Sequence, residues 1–165
     1  MSDIEIRRAT EQDLDAVVAL WREMLETHAE VEPLIWQMSP VAEQYARAHL
    51  AQAITADNCR LLVATERHTV VGFIVLSQEG PSPRLSTMDH GVIEDLGVTR
   101  AARRRGVGTV LLDAAMDWFR SEGLKAVTLG YAVNNPMSSA FWRKHGFRPY
   151  RVNAVRFTTN PDEGK

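Results

Sequence analysis

Cysteine is almost absent: the 165 residues contain one, Cys59. That excludes an intrachain disulfide and any metal site built from several cysteines. No apolar run approaches the roughly 20 residues that span a bilayer. The first residues, Met1-Ser2-Asp3-Ile4-Glu5, are charged where a secretion signal would be apolar. No membrane partner is expected, and a reducing, cytoplasmic location is. Charge of one sign is lacking too. With 19 basic and 21 acidic residues the net charge is −2, too weak a field to draw the whole chain to nucleic acid. The five histidines (His28, His49, His68, His90, His145) show no metal-ligand spacing, so no metal is expected. Internal repeats and low-complexity tracts are missing.

What is present is an ordinary globular composition, 45% hydrophobic and 24% charged. A chain of this length supports one core, since a ~150-residue domain buries roughly 70% of its unfolded surface. One domain over 1–165 is expected, with its core over residues 4–158 and a frayed tail at 160–165.

Ile4 to Arg8 alternates apolar and polar residues and reads as a strand. Thr10 with Asp13 forms a reciprocal cap for a helix whose stripe is Leu14, Val17, Val18, Trp21, Met24 and Leu25. Ser39-Pro40 opens a second helix, striped by Ala42, Tyr45, Ala46, His49, Leu50, Ala53 and Ile54. Leu61–Thr65 and Val70–Leu76 read as a hairpin around Glu66-Arg67-His68-Thr69. Gly91–Val98 is a further strand. Gly106–Glu122 is the strongest amphipathic helix and stops at Gly123-Leu124. Ala126–Val133 is a strand. Asn135-Pro136 opens a last helix, closed by Gly146-Phe147, and Arg148–Thr158 is a final strand. The order β-α-α-β-β-β-α-β-α-β packs most economically as an α/β (α+β) mixed sheet flanked by helices.

The most informative segment joins a strand to the long helix: Val98-Thr-Arg-Ala-Ala-Arg103-Arg104-Arg105-Gly106-Val107-Gly108-Thr109. Two glycines allow a close backbone approach. The first amides of a helix lack internal partners and carry partial positive charge, which makes an anion site. Four arginines (Arg100, Arg103, Arg104, Arg105) add charge there. A Walker loop is excluded because Gly108 is followed by Thr109-Val110. A dinucleotide fingerprint fails because Leu111 stands where a small residue is needed.

The spacing Arg103-x-x-Gly106-x-Gly108 and its flanks, IEDLGV, RRRGVGTVLLDAAMDWF and LGYAVNNPMSSAFWRKHGF, resemble the acetyl-CoA-binding core of the GNAT superfamily of N-acetyltransferases. The resemblance is close over about a third of the chain. It implies a mixed, mostly antiparallel sheet that splays after Val98, with the pantetheine arm of acetyl-CoA in the gap. Leu96, Gly97 and Val98 would pair with the arm as an added strand. Arg103, Arg104, Arg105, Gly106, Val107, Gly108 and Thr109 would hold the diphosphate. Asn135 matches a family position near the arm and reads equally well as a plain helix cap. Many family members dimerise, so a homodimer stays open.

The implied reaction is attack of a primary amine on the thioester, with the Val98 N–H stabilising the oxyanion. An alkylammonium of pKa about 10 costs roughly 4 kcal/mol to deprotonate across a ~3-unit gap, so a general base is expected. Glu94 is the candidate, and Asp95 its neighbour for amine binding; His90 is the weaker alternative. Successive strand residues face opposite sides, so only one carboxylate would face the acceptor unless a bulge intervenes. The usual proton donor to the thiolate is a tyrosine four residues before the closing glycine. Here that residue is Trp142, whose indole N–H is no acid. Tyr131 or Tyr150, or water, would substitute. Cys59 has no local partner for thiol catalysis and reads as a structural thiol. The segment with Glu26, Glu30, Glu32 and Trp36 would meet a small cationic acceptor with carboxylates and an aromatic face, or be a solvated acidic turn. The alternative function is a non-catalytic CoA-binding module. An arginine-based nucleic-acid domain is disfavoured by the charge balance.

Overall fold

The computed structural model describes residues 4–81 and 88–158. β1 (Ile4–Arg8) pairs antiparallel with β2 (Cys59–Glu66), and β2 with β3 (Thr69–Glu79). Arg67 and His68 connect them at φ 49° and 66°. Two successive left-handed residues make the tight turn whose twist suits an antiparallel pair. The hairpin is therefore two residues tighter than the alternation suggests, because Glu66 and Thr69 also pair. β4 (His90–Val98) lies antiparallel to β3. α3 (Val107–Ser121) then crosses to β5 (Val127–Leu129), which is parallel to β4. The sheet order is β1-β2-β3-β4-β5, mixed and mostly antiparallel as expected.

Helices cover both faces. α1 (Leu14–Val31) and α2 (Ala42–Thr55) bury Val17, Leu20, Leu50 and Ala53 against Leu61, Val63, Phe73 and Val75. α3 buries Leu111, Ala115 and Phe119 against Ile74, Leu76 and Ile93 on the other face, where α4 (Pro136–Lys144) adds Trp142. β3 is a continuous apolar run because both its sides are covered. Burial of a side chain like Phe119 contributes about 2–3 kcal/mol. The Phe119 ring sits where a Cβ on Gly91 would be, 2.5 Å away.

The entry to α1 follows the sequence pattern. The Thr10 N–H donates to the Asp13 carboxylate at 2.8 Å, and Arg7 donates to both its oxygens at 2.7 Å. The Arg7 hydrogen bonds lead in holding the Asp13 pKa down at about 2. Gly123 and Gly146 close α3 and α4 at φ 75° and 84°.

Three elements differ from expectation. Pro40 lies in the turn before α2, where the Ala42 N–H donates to Ser39 O at 3.1 Å, so the helix starts at Ala42. β5 is three residues long because the chain leaves β4 after Leu129. The final strand over 148–158 is not formed. Tyr150, Val152 and Val155 are 69%, 72% and 60% exposed. Alternation states which face a strand would bury. A strand exists only where a neighbour takes its backbone groups, and the sheet ends at the short β5. The tail at 160–165 lies outside the described residues.

Candidate active site

The β4–α3 turn is an anion site by geometry. Gly106 stands at φ 86° as the cap of α3, a conformation that suits glycine, and a Cβ there would meet nothing within 4 Å. The first intrahelical bond runs from the Val110 N–H to Gly106 O at 3.1 Å. The amides of Val107, Gly108 and Thr109 precede it and donate to no protein acceptor among the described residues. They sit at the positive end of a 15-residue helix.

Beside this turn the sheet opens. The Thr99 N–H donates to Val71 O at 2.9 Å. Antiparallel bonding alternates, so Gly97, paired with Phe73, faces β3, and Leu96 and Val98 turn their backbone groups away from it. β5 pairs only with Gly91, Val92 and Ile93, so those groups face a gap. Gly97, expected with Leu96 and Val98 along the arm, turns its backbone groups toward β3. Its bare side faces Phe73, whose Cε1 would lie 2.4 Å from an added Cβ. The missing side chain serves the core.

A bulge decides the orientation of the two carboxylates. Asp95 opposes Val75 and Ile93 opposes Leu76, leaving Glu94 as the extra residue. Ile93 and Leu96 both pack into the α3 face, so the two residues between them turn together toward α1 and α2. His49 of α2 bonds Glu94 through Nε2 at 2.6 Å. Asp95 is pushed above the usual carboxylate range, first by burial and then by the Glu94 charge; His49 and His28 act in the opposite direction. Next to the pair lies a cleft of about 240 Å³ lined by His49, Gln52, Cys59, Ser77, Glu79 and Glu94. A larger groove of about 400 Å³ lies at the far end of α3, around Phe119, Lys125 and Phe147, and holds none of these groups.

Residues 21–147 match the model of the acetyltransferase (GNAT) family. The chain belongs to that family. It is 26% identical over 144 residues to the uncharacterized N-acetyltransferase YhfO of Bacillus subtilis (strain 168), covering 87% of this chain and 89% of that protein. The fold resembles a mutant of the BH1408 protein of Bacillus halodurans, with a TM-score of 0.84 at 22% identity over 94% of this chain and 99% of that one. It also resembles the aminoglycoside N-acetyltransferase AAC(6')-Iy solved with CoA, with a TM-score of 0.73 at 19% identity, over 96% and 97%.

Elsewhere in this GNAT chain the structure separates residues that the sequence groups. Of the four arginines, Arg100 bonds Glu30 at 2.6 Å. Arg105 bonds Glu66 at 2.5 Å. Arg103 bonds Val98 O at 3.1 Å and Thr27 at 3.2 Å. Arg104, at φ 61°, is exposed. Glu30 is thus engaged by the turn. Trp36 packs on the His28 ring, 4.6 Å between centroids, and Glu32 accepts from Asn134 at 3.3 Å. Asn135 is a helix cap, its Oδ1 accepting from Met137 and Ser138 N–H groups at 3.1 and 3.3 Å.

Trp142 is buried, edge-on to Phe141 and Phe147. The Tyr131 hydroxyl is buried with no hydrogen-bond partner among the described residues, whereas Tyr150 is exposed. His90 sits near Glu79 at 3.7 Å, at the opposite end of β4 from Val98. Cys59 is half-buried, and burial raises its thiol pKa. Sequence reasoning missed His49 as a partner of Glu94. Its signal was a titratable residue within the apolar stripe of α2.

Proposed function

We propose that this GNAT chain transfers an acetyl group from acetyl-CoA to a primary amine of a small cationic acceptor, by direct attack in a ternary complex. The observation that carries the reading is one juxtaposition. Unbonded amides at Val107, Gly108 and Thr109 adjoin the open side of Leu96 and Val98, one bulge away from two carboxylates. The diphosphate rests on these amides, with Gly106 leaving room and the exposed Arg104 adding charge. The arm pairs with the Leu96 backbone groups as an added strand, and the Val98 N–H, whose own carbonyl Arg103 holds, faces the thioester oxygen.

Glu94 and Asp95 hold the ammonium. Sequence alone favours Glu94 as base. The geometry supports a division in which Glu94, anchored by His49, binds the amine and Asp95 takes the proton, because a half-buried carboxylate with raised pKa is the stronger base. The amine nitrogen then bonds the acetyl carbon and the C–S bond breaks. The Tyr131 hydroxyl, buried and without a partner among the described residues, protonates the thiolate.

The test is CoA thiol release from acetyl-CoA with spermidine, tobramycin, lysine and a peptide N-terminus as acceptors. Release that depends on one of these amines is expected. CoA binding without release on any of them would favour a CoA-sensing module, a second reading motivated by the buried Trp142 in place of the usual tyrosine.

A further inference from the structure

The arginine that opens the glycine motif does not point where the motif suggests. Arg103 is half-buried, and its guanidinium turns back from the helix entrance. Its Nε donates to Val98 O at 3.1 Å, and Nη2 donates to Thr27 Oγ1 at 3.2 Å and lies 3.6 Å from Glu23 Oε1. Thr27 and Glu23 both belong to α1. The same Glu23 oxygen accepts the Arg100 N–H at 2.8 Å, and Glu30 takes the Arg100 guanidinium. Two arginines of the turn and three residues of α1 therefore form one clasp across the sheet face. The same helix packs against β4, the strand that carries the two carboxylates. The clasp thus ties the helix that faces the carboxylates to the turn that receives the anion.

We propose that Arg103 is a positioning residue and not a diphosphate ligand: it orients the Val98 peptide and locks the second half of α1 onto the β4–α3 turn. The assignment rests on the acetyl-transfer reading only for its effect on turnover. A guanidinium already bonded to a carbonyl and a hydroxyl gains little from leaving them for a solvated phosphate. Losing it frees the Val98 carbonyl, whose peptide plane also holds the Thr99 N–H that bonds Val71 O at the end of β4. It also leaves Glu23 as an underpaired carboxylate, which loosens α1.

Three measurements on Arg103→Gln and Arg104→Gln test this. CoA affinity by calorimetry is expected to stay within twofold for Arg103→Gln and to weaken at least fivefold for Arg104→Gln. Amide exchange over residues 23–31 is expected to quicken at least fivefold in Arg103→Gln and to stay unchanged in Arg104→Gln. With whichever panel amine gives most thiol, kcat is expected to fall at least tenfold in Arg103→Gln, and Arg103→Lys to recover part of it. Thr27→Val, which removes one bond without unpairing a charge, is expected to show a smaller effect of the same kind and serves if Arg103→Gln does not fold. A fivefold or greater loss of CoA affinity in Arg103→Gln with unchanged exchange in α1 would overturn the assignment. Should CoA bind none of the proteins, the acetyl-transfer reading fails, and the exchange of residues 23–31 alone decides the clasp.

Discussion

Glu94 and Asp95 are neighbours in the chain and on one face of the sheet, and one extra residue in β4 is the cause. The consequence is two half-buried carboxylates side by side. Burial, then the Glu94 charge, raise the Asp95 pKa over that in the unfolded chain. The folded state thus keeps this proton to higher pH than the unfolded state does. The stability linked to it is greatest at low pH and is lost as pH rises from the ordinary carboxylate value through the raised one. Once ionised, Asp95 is a cost to folding. Asp95→Asn is expected to raise Tm at pH 7, by roughly 2–4 °C for each kcal/mol relieved. The same change is expected to lower kcat/KM on the order of a hundredfold or more, as loss of a general base does. The acidic limb of kcat/KM, placed above the usual carboxylate range in the native protein, should vanish in the variant. Calorimetry and a pH–rate profile check the two halves. A variant less stable at pH 7 and unchanged in profile would remove Asp95 as base.

At the scale of elements, α3 and β4 meet through missing side chains. Gly91 leaves the space that the Phe119 ring fills, and Gly97 leaves the space for Phe73 on the opposite face. Both glycines lie in a strand, where glycine is otherwise unfavourable. They allow the strand that carries the bulge to be gripped from both sides by an aromatic ring, which makes it a rigid support for the carboxylates. Gly91→Ala puts a methyl group 2.5 Å from Phe119. It is expected to destabilise the fold by about 1–3 kcal/mol, as overpacking does. A denaturation series should show the loss, and the double variant with Phe119→Leu should recover part of it. Gly91→Ala with unchanged stability would mean the ring has room to move.

The whole molecule is a sheet between two apolar layers that share β2 and β3. Phe73 and Val75 serve one layer and Ile74 and Leu76 the other. Unfolding either layer strips a face from the same strands, so the two should melt together. Leu50→Ala under α2 and Leu111→Ala under α3 are each expected to cost about 2–5 kcal/mol and to lower one common transition. Far-UV circular dichroism and tryptophan fluorescence should give one midpoint, since Trp21 and Trp118 report from opposite layers. Two midpoints would show that the layers fold separately. The charge balance acts at this scale too. The turn's Arg100 and Arg105 are matched by Glu30 and Glu66, so the cationic motif does not make a cationic surface.

Elements that depend on local chemistry were legible along the chain. The Thr10–Asp13 cap, the α3 stripe, the Asn135 cap and the glycine stops need only neighbours within a turn of helix, and their residue types state that need directly. The glycine motif and its family followed, because helix-end amides and glycine spacing are local as well. Folding in three dimensions was needed to show where Arg103 points, that Glu94 and Asp95 share a face, that Gly97 serves Phe73, and that residues 148–158 find no strand partner. Each depends on groups far apart in sequence: a register shift between β3 and β4, a carboxylate on α1, a ring across the sheet, an edge to pair with. Residue types along a chain carry no record of which distant atoms will compete for them.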